Sequence, residues 1–156
     1  MCSSDLNGVT NTEVGYAGGT IKNPSYELVC SKTTGHIEVV KIDYDSSILE
    51  IKDIILLFMA IHDPTQIDGQ ANDIGPQYLS SIFYSDDDER AIIEQKIYSY
   101  KNKYDSPIVT KILPLETFYS AEEYHQNYLV KNPGGYCHII LPRVKEFLDS
   151  KGLGLK

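Results

Sequence analysis

Hydrophobic and polar positions along the chain follow two different periods, which predicts strands interleaved with helices. Apolar residues alternate with polar ones from His36 to Tyr44, as in a half-buried strand. From Ile51 onward they recur at helical spacing, and this helix must end near Asp63 because Pro64 disfavours helical geometry in the residue before it. The same reasoning predicts three more strands, over Thr12 to Tyr16, Tyr78 to Tyr84 and Ile108 to Leu113.

Capping residues and helix breakers place the remaining helices. Pro24 suits the first turn of a short helix that carries Tyr26 and Cys30. Ser85 and the three acids that follow it cap a long helix that runs to about Tyr104, with negative charge at its positive end. That acidic run therefore has a structural explanation.

Two more helices are predicted in the last third of the chain. Ser120 and Glu123 have the spacing of a capping box, which opens a helix carrying Tyr124, His125 and Tyr128. A final helix is expected over Pro142 to Lys151, ended by Gly152. Together these elements predict a two-layer α+β domain with helices packed on a mixed sheet, and a parallel doubly wound sheet is the alternative.

Composition and charge exclude several classes of function. The chain has 156 residues, 14 basic against 22 acidic side chains and a net charge of −8, which indicates one domain and argues against nucleic acid or an anionic membrane as partner. No apolar run approaches the roughly 20 residues needed to cross a bilayer. The first residues show neither a basic nor an apolar leader, so a cytoplasmic location is expected.

The cysteines and histidines narrow the chemistry further. Three widely spaced cysteines, at positions 2, 30 and 137, fit neither a disulfide framework nor a zinc site, so redox chemistry or plain burial remains. Cys30, in a short apolar helix, is expected to be a small buried hydrophobe. The four histidines are too scattered to predict a metal or any other cofactor, and His36 and His125 are expected to be structural hydrogen-bonding partners.

Glu38 is the most suggestive carboxylate, because it lies between apolar Ile37 and Val39 in the alternating strand. If it points to a partly buried face, its pKa is raised and it can stay protonated near neutrality, as a general acid must. The alternative is an ordinary solvent-facing strand carboxylate.

Five segments, read together, resemble one family. They run in order from Gly8 to Cys137 and read GVTNTEVGYAGG, NPSYELVCSKTTGHIEVVKIDYD, HDPTQ, ANDIGPQY and AEEYHQNYLVKNPGGYC. Each segment alone is weak evidence, but this ordered set is highly specific. The chain resembles the type A peptide methionine sulfoxide reductases over most of its length.

The resemblance implies a ferredoxin-like α+β core and a thiol-dependent reduction of the S epimer of methionine sulfoxide, free or in peptides, with thioredoxin as the usual reductant. It also implies residue roles. By their place in the motifs, Glu38 corresponds to the proton donor, Tyr26 and Tyr136 to the phenols that hydrogen-bond the sulfoxide oxygen, and Asp63 to a carboxylate that orients the substrate. Cys137 corresponds to the resolving cysteine, which attacks the sulfenic acid to give a disulfide.

The chain departs from the family at one point. The family's nucleophile lies in a Gly-Cys-Phe-Trp-Gly motif, which this sequence lacks, and counting back from Gly8 would put that motif before Met1. Cys2 lies too close to Gly8 to replace it. We therefore expect a single, N-terminally incomplete domain over residues 1–156 with impaired catalysis; a truncated gene, an incomplete chain and a descendant that has lost catalysis all fit. The alternative function is a non-catalytic sulfoxide-binding or interaction module.

Overall fold

The computed structural model describes residues 6–135, 146, 148–150 and 152. Three strands, β1 (Val9–Ala17), β2 (Ile37–Tyr44) and β7 (Phe118–Ser120), form an antiparallel sheet in the order β2-β1-β7. Glu38 lies on β2, directly opposite Tyr16 of β1, so both side chains project from the same face of the sheet.

The short helix α1 (Tyr26–Cys30) packs against this sheet, as predicted from Pro24. Its N-cap, Ser25, accepts a hydrogen bond from the backbone N–H of Leu28 through its Oγ, at 3.3 Å. The contact is built from Val29 of the helix, Tyr16 of β1 and Ala121 after β7, all buried together. This small core fixes the helix over the face that carries Glu38.

A second group of elements forms a separate apolar core around Ile55, Met59, Ile93 and Tyr100. Two strands in it pair in parallel because a helix crosses between them. These elements are α2 (Ile51–Ile61), β5 (Ser81–Tyr84), α3 (Asp87–Tyr98) and β6 (Lys111–Pro114).

Between α2 and β5 the chain forms two very short strands, β3 (Gly69–Gln70) and β4 (Asp73–Ile74), which pair antiparallel, and a 3₁₀ turn (Pro76–Tyr78). This turn lies against β2. The polar segment from Gln66 to Pro76 therefore contains a miniature hairpin that brings Asp73 within electrostatic reach of Glu38.

The prediction of an α+β fold with mixed, mainly antiparallel strand pairing is confirmed. Within the described part of the chain, however, the strands form three separately hydrogen-bonded groups and not one continuous sheet. The described positions of the expected last helix, 146 and 148–150, are helical. None of the described helices has the length and apolar character needed to span a membrane.

The helix predicted from Ser120 is wrong over its first two turns. Ser120 belongs to β7, residues 123–127 form turns, and only α4 (Tyr128–Lys131) is helical. The reason is that the side chains of Glu122 and Gln126 accept hydrogen bonds from the backbone N–H groups of Tyr26 and Val14. In addition, Asn127 has a left-handed backbone conformation (φ 53°), which separates these turns from α4.

Other boundaries also differ. The strand predicted from Thr12 begins at Val9, and the strand predicted from Ile108 begins at Lys111. Helix α3 ends at Tyr98, not near Tyr104, because the chain turns so that Tyr100 becomes buried and the Tyr104 hydroxyl donates to the carbonyl of Met59 at 3.2 Å. The strand predicted from Tyr78 begins at Ser81, because Pro76 to Tyr78 forms the 3₁₀ turn.

Candidate active site

Glu38, on β2, has the most unusual environment among the carboxylates that the sequence singled out. Burial raises its pKa from 4.5 to about 7, with a further contribution from the negative charge of Asp73 in β4. Its Oε1 atom is buried and has no hydrogen-bond partner in the described part of the chain. The expectation of a partly buried carboxyl with a raised pKa is confirmed, and the solvent-facing alternative is wrong.

Three tyrosines lie within electrostatic reach of Glu38: Tyr16, whose hydroxyl donates to Glu122, and Tyr26 and Tyr78. Tyr26 is the first residue of α1, and Tyr78 ends the 3₁₀ turn. The hydrogen bond between the Tyr26 hydroxyl and the Cys30 thiol, together with burial, raises the pKa of Tyr26, whereas burial and then the charge of Glu38 raise that of Tyr78. Both phenols therefore keep their protons at neutral pH and can donate hydrogen bonds.

Cys30 is not the buried hydrophobe that its apolar neighbours suggested. It is a free, partly exposed cysteine, one helical turn from Tyr26, whose hydroxyl hydrogen-bonds to its thiol. The electrostatic effect of Cys30 also contributes to raising the pKa of Tyr78. The short helix thus presents a phenol and a thiol to the same space.

Buried polar atoms without partners gather around these tyrosines. Among the described residues they are Glu38 Oε1, Gln77 Oε1 and His125 Nε2. The Gln77 side chain hydrogen-bonds to Tyr78, and the His125 ring lies against Tyr26 with their centroids 4.6 Å apart. Because buried polar groups in native proteins are normally hydrogen-bonded, this local concentration indicates a site for a polar ligand.

Glu122 contrasts with Glu38. Its Oε1 accepts from the backbone N–H of Tyr26 at 2.7 Å, and its Oε2 accepts from the Tyr16 hydroxyl at 2.8 Å. Burial acts to raise the pKa of Glu122, but these hydrogen bonds, one from its own backbone N–H and the nearby His125 outweigh it, so that the pKa is lowered. At pH 7 Glu122 is therefore ionised, whereas about half of the Glu38 carboxyls carry a proton.

His36 has the structural role expected of it. Its Nδ1 accepts from the N–H of Gly19 at 3.2 Å and its Nε2 bonds to the carbonyl of Ile21 at 2.7 Å. A Cβ at Gly19 would lie 2.5 Å from the His36 ring, so only glycine permits this approach. The histidine thus ties the glycine turn after β1 to the start of β2.

Asp63 does not lie in this cluster. It is exposed, and its Oδ1 accepts from the Thr65 hydroxyl at 2.6 Å and the Thr65 N–H at 2.9 Å, which lowers its pKa. The carboxylate that acts on Glu38 is Asp73. The role given to Asp63 by the resemblance stays a prediction.

Tyr136 and Cys137, to which the resemblance gave roles, lie outside the described residues, as does Cys2. The sequence reasoning overlooked Tyr78, Asp73, Gln77 and Glu122. Three of them, Asp73, Gln77 and Tyr78, belong to the ANDIGPQY segment that carried part of the resemblance, so a signal for them was present. Glu122 also belongs to one of these segments, AEEYHQNYLVKNPGGYC, but the capping-box spacing of its neighbours suggested a helix and drew attention away from it.

Comparison with known proteins identifies the family. The family model for peptide methionine sulfoxide reductase matches residues 2–152. The chain belongs to this family. It is 53% identical over 139 residues to the peptide methionine sulfoxide reductase MsrA of Clostridium botulinum, which spans 88% of each protein.

Solved structures agree with this assignment. Mxr1 from Saccharomyces cerevisiae in reduced form matches with a TM-score of 0.81 and 34% identity, over 84% of this chain and 76% of that one. Methionine sulfoxide reductase A of Corynebacterium diphtheriae matches with a TM-score of 0.74 and 38% identity, over 83% and 67%. Membership makes the chain an oxidoreductase of the methionine sulfoxide reductase type, as the ordered motifs predicted.

Proposed function

We propose that this chain binds the S-sulfoxide of methionine, free or in peptides, between Tyr26, Tyr78 and Glu38 and reduces it to methionine with thiols. The observation that carries the proposal is the carboxyl of Glu38. It has a pKa of about 7, a buried oxygen without a hydrogen-bond partner among the described residues, and two phenolic donors, Tyr26 and Tyr78, within electrostatic reach.

The chemistry requires these three groups together. A sulfoxide oxygen is a strong acceptor, and two phenols beside it stabilise the negative charge that develops as a thiolate attacks the sulfur. The sulfur–oxygen bond breaks as Glu38 donates a proton to the departing oxygen. In total one sulfoxide and two thiols give one thioether, one disulfide and one water, so the thiols are oxidised and the sulfur of methionine is reduced.

Asp73 contributes by keeping this acid protonated. Its negative charge, added to the effect of burial, raises the pKa of Glu38 towards neutrality. At pH 7 about half of the Glu38 population then carries the proton, which is close to the best compromise for a general acid. Asp73 therefore acts on the acid and not on the sulfoxide.

Several parts of the proposal come from the resemblance alone. Cys137 would resolve the oxidised enzyme, Tyr136 would add a donor, and thioredoxin would restore the thiols. A chain of Mxr1 from Saccharomyces cerevisiae in complex with Trx2 has the same fold, with a TM-score of 0.54 and 24% identity. The incomplete single domain, the impaired turnover and the cytoplasmic location stay predictions.

Binding and turnover measured together test the proposal. Calorimetry with the separate S and R epimers of N-acetyl-methionine sulfoxide should show binding of the S epimer alone. Single-turnover assays with dithiothreitol, which resolve slow reduction, should be run on the wild type and on Cys2→Ser, Cys30→Ser and Cys137→Ser. Absence of binding of either epimer would contradict the proposed site.

The same assay checks the predicted impairment. Fast reduction that Cys2→Ser abolishes would contradict it, because it would make Cys2 an authentic nucleophile. Specific binding that never leads to reduction, even in a chain extended with the Gly-Cys-Phe-Trp-Gly motif, would instead favour the non-catalytic sulfoxide-binding module.

A further inference from the structure

Tyr26 reaches the site from a short support. Helix α1 has five residues, and Tyr26 is the first of them, so few helical hydrogen bonds fix its backbone. Isolated helices of this length are unstable in water, which means that the position of Tyr26 depends on contacts with other elements.

Glu122 supplies such a contact from a distant part of the chain. Its Oε1 accepts from the Tyr26 N–H at 2.7 Å, and its Oε2 accepts from the hydroxyl of buried Tyr16, at 2.8 Å. One carboxylate therefore connects the first residue of α1 to the central strand β1. Both oxygens are used, which leaves Glu122 suited to holding other groups and not to proton transfer.

The segment that carries Glu122 is itself fixed to β1. The side-chain amide of Gln126 accepts from the N–H of Val14 at 2.9 Å and donates to its carbonyl at 2.8 Å. The N–H of Ala121 donates to the same carbonyl at 2.9 Å. Glu122 lies between these two attachments, so its carboxylate has a firm base from which to hold Tyr26.

We propose that Glu122 is a positioning residue of the reductase, which holds the backbone of Tyr26 so that its hydroxyl stays beside Glu38 and Tyr78. This inference rests on the proposed function, because it assumes that the Tyr26 hydroxyl binds the sulfoxide oxygen. The inference goes beyond the proposed function because it assigns a role to Glu122, which lies outside the cluster that would contact the substrate.

A double-mutant cycle tests whether Glu122 acts through Tyr26. The measured quantity is the affinity for N-acetyl-methionine S-sulfoxide in the wild type, Glu122→Ala, Tyr26→Phe and the double variant. Each single change should weaken binding by about tenfold, and the double variant should lose about tenfold and not about a hundredfold, since the contact that Glu122 supports is already gone.

A second readout needs no ligand. In protein labelled with ¹³C at the tyrosine Cζ, the Tyr26 phenol should titrate above the ordinary pKa of 10, because of its hydrogen bond to the Cys30 thiol and its burial. In Glu122→Ala its pKa should fall towards 10, because without the Glu122 contact the five-residue α1 unwinds, which breaks the hydrogen bond between the Tyr26 hydroxyl and the Cys30 thiol and exposes the phenol. In Glu122→Gln the shape and one acceptor oxygen remain, so both the titration and the affinity should stay close to those of the wild type.

Glu123→Ala is the matched control. It removes the same charge from the adjacent residue, whose side chain is 89% exposed and pairs with Lys131 at 2.9 Å. Affinity and the Tyr26 titration should not change in this variant. An effect as large as that of Glu122→Ala would overturn the inference in favour of a general charge effect.

The outcomes separate the inference from the proposed function. Losses that simply add in the double variant, or an unchanged Tyr26 titration in Glu122→Ala, overturn the positioning role while sulfoxide binding stands. A Tyr26→Phe variant that binds as tightly as the wild type contradicts the proposed role of that hydroxyl instead. In that case the Tyr26 titration in Glu122→Ala is the measurement that decides whether Glu122 positions Tyr26.

Discussion

Two glutamates on either side of Tyr16 have opposite environments. Glu38 lies directly opposite Tyr16 in the sheet, with a buried oxygen that has no partner in the described chain. Glu122 lies at the Tyr16 hydroxyl, and both of its oxygens accept hydrogen bonds. Burial dominates at Glu38 and raises its pKa, whereas hydrogen bonds dominate at Glu122 and lower its pKa.

The difference shows how the same side chain is adapted to two tasks. A carboxyl without partners is costly to ionise and therefore keeps a proton that it can transfer. A carboxylate with saturated oxygens keeps its charge and holds other groups in place. The number of hydrogen-bond donors that face each carboxyl oxygen, and not the residue type, decides whether a glutamate can transfer a proton, as Glu38 can, or holds other groups in place, as Glu122 does.

The largest expected effect is the loss of the acid. Glu38→Gln keeps a hydrogen-bond donor but cannot transfer a proton, so the single-turnover rate of sulfoxide reduction should fall by about 10²–10⁴-fold while affinity stays within about threefold. Glu122→Gln should change the rate by less than about tenfold. Equal losses of rate in the two variants would contradict the distinction between Glu38 as a proton donor and Glu122 as a residue that only holds other groups in place.

Stability should depend on pH in opposite ways at the two sites. The pKa of Glu38 rises on folding, so its ionisation costs no stability below pH 4.5, where the carboxyl is protonated in both the folded and the unfolded chain. As the pH increases from 4.5 towards and through 7, the free energy of unfolding decreases, because the unfolded chain ionises Glu38 more readily. The shift from 4.5 to about 7 corresponds to at most about 3 kcal/mol. Glu38→Gln should therefore unfold at higher urea than the wild type at pH 8 and at nearly the same urea at pH 4.

Glu122 provides the opposite case for the same urea titrations. Its pKa is lowered on folding from 4.5, so its contribution is present above pH 4.5 and is lost as the pH falls through its folded value. Glu122→Gln should thus be less stable than the wild type at pH 7, with the difference shrinking in acid. Parallel pH profiles for the two variants would contradict the two environments.

A smaller effect is expected from the tyrosine that the sequence reasoning overlooked. Tyr78→Phe removes one hydroxyl from the proposed sulfoxide site and should weaken binding of the S epimer by about tenfold, as the loss of one hydrogen bond does. Tyr84→Phe, at the end of β5 in the second group of elements, is the control. Affinity that stays unchanged in Tyr78→Phe would remove Tyr78 from the site.

The smallest effect is expected at Asp63. Its exposed carboxylate binds Thr65 and lies apart from the Glu38 cluster, so Asp63→Asn should alter affinity by less than about threefold and stability by less than about 0.5 kcal/mol. Asp73→Asn, measured beside it, should lower the pKa of Glu38 and the rate optimum with it. A large loss of affinity in Asp63→Asn would restore the role that the resemblance implied.

Much of the fold follows from patterns along the sequence. The alternation around Glu38 and the helical spacing after Ile51 predict β2 and α2 closely, because each element buries one regular face. The spacing around Glu38 did not settle its environment, because alternation puts a charged residue between two apolar ones on the opposite face of the strand, which is often exposed to solvent. Its burial becomes visible only when the elements packed over that face are seen.

The remaining errors have a common physical cause. The segment from Ser120 has helix-capping spacing, yet tertiary hydrogen bonds from Glu122 and Gln126 to the backbones of α1 and β1 replace local helical ones. No period along the chain reports such a long-range bond. For the same reason, the meeting of Tyr78 and Asp73 with Glu38 emerges only when the short hairpin is seen against β2.

Gln126 has a consequence beyond the site. In the described part of the chain β7 pairs with β1 from Gly15 to Ala17. At Val14 the Gln126 side-chain amide accepts from the backbone N–H and, together with the N–H of Ala121, donates to the carbonyl. A sheet edge whose N–H and C=O groups are occupied offers no template to a strand from another molecule. Gln126 thus leaves no backbone group of Val14 available for pairing with a strand from another molecule.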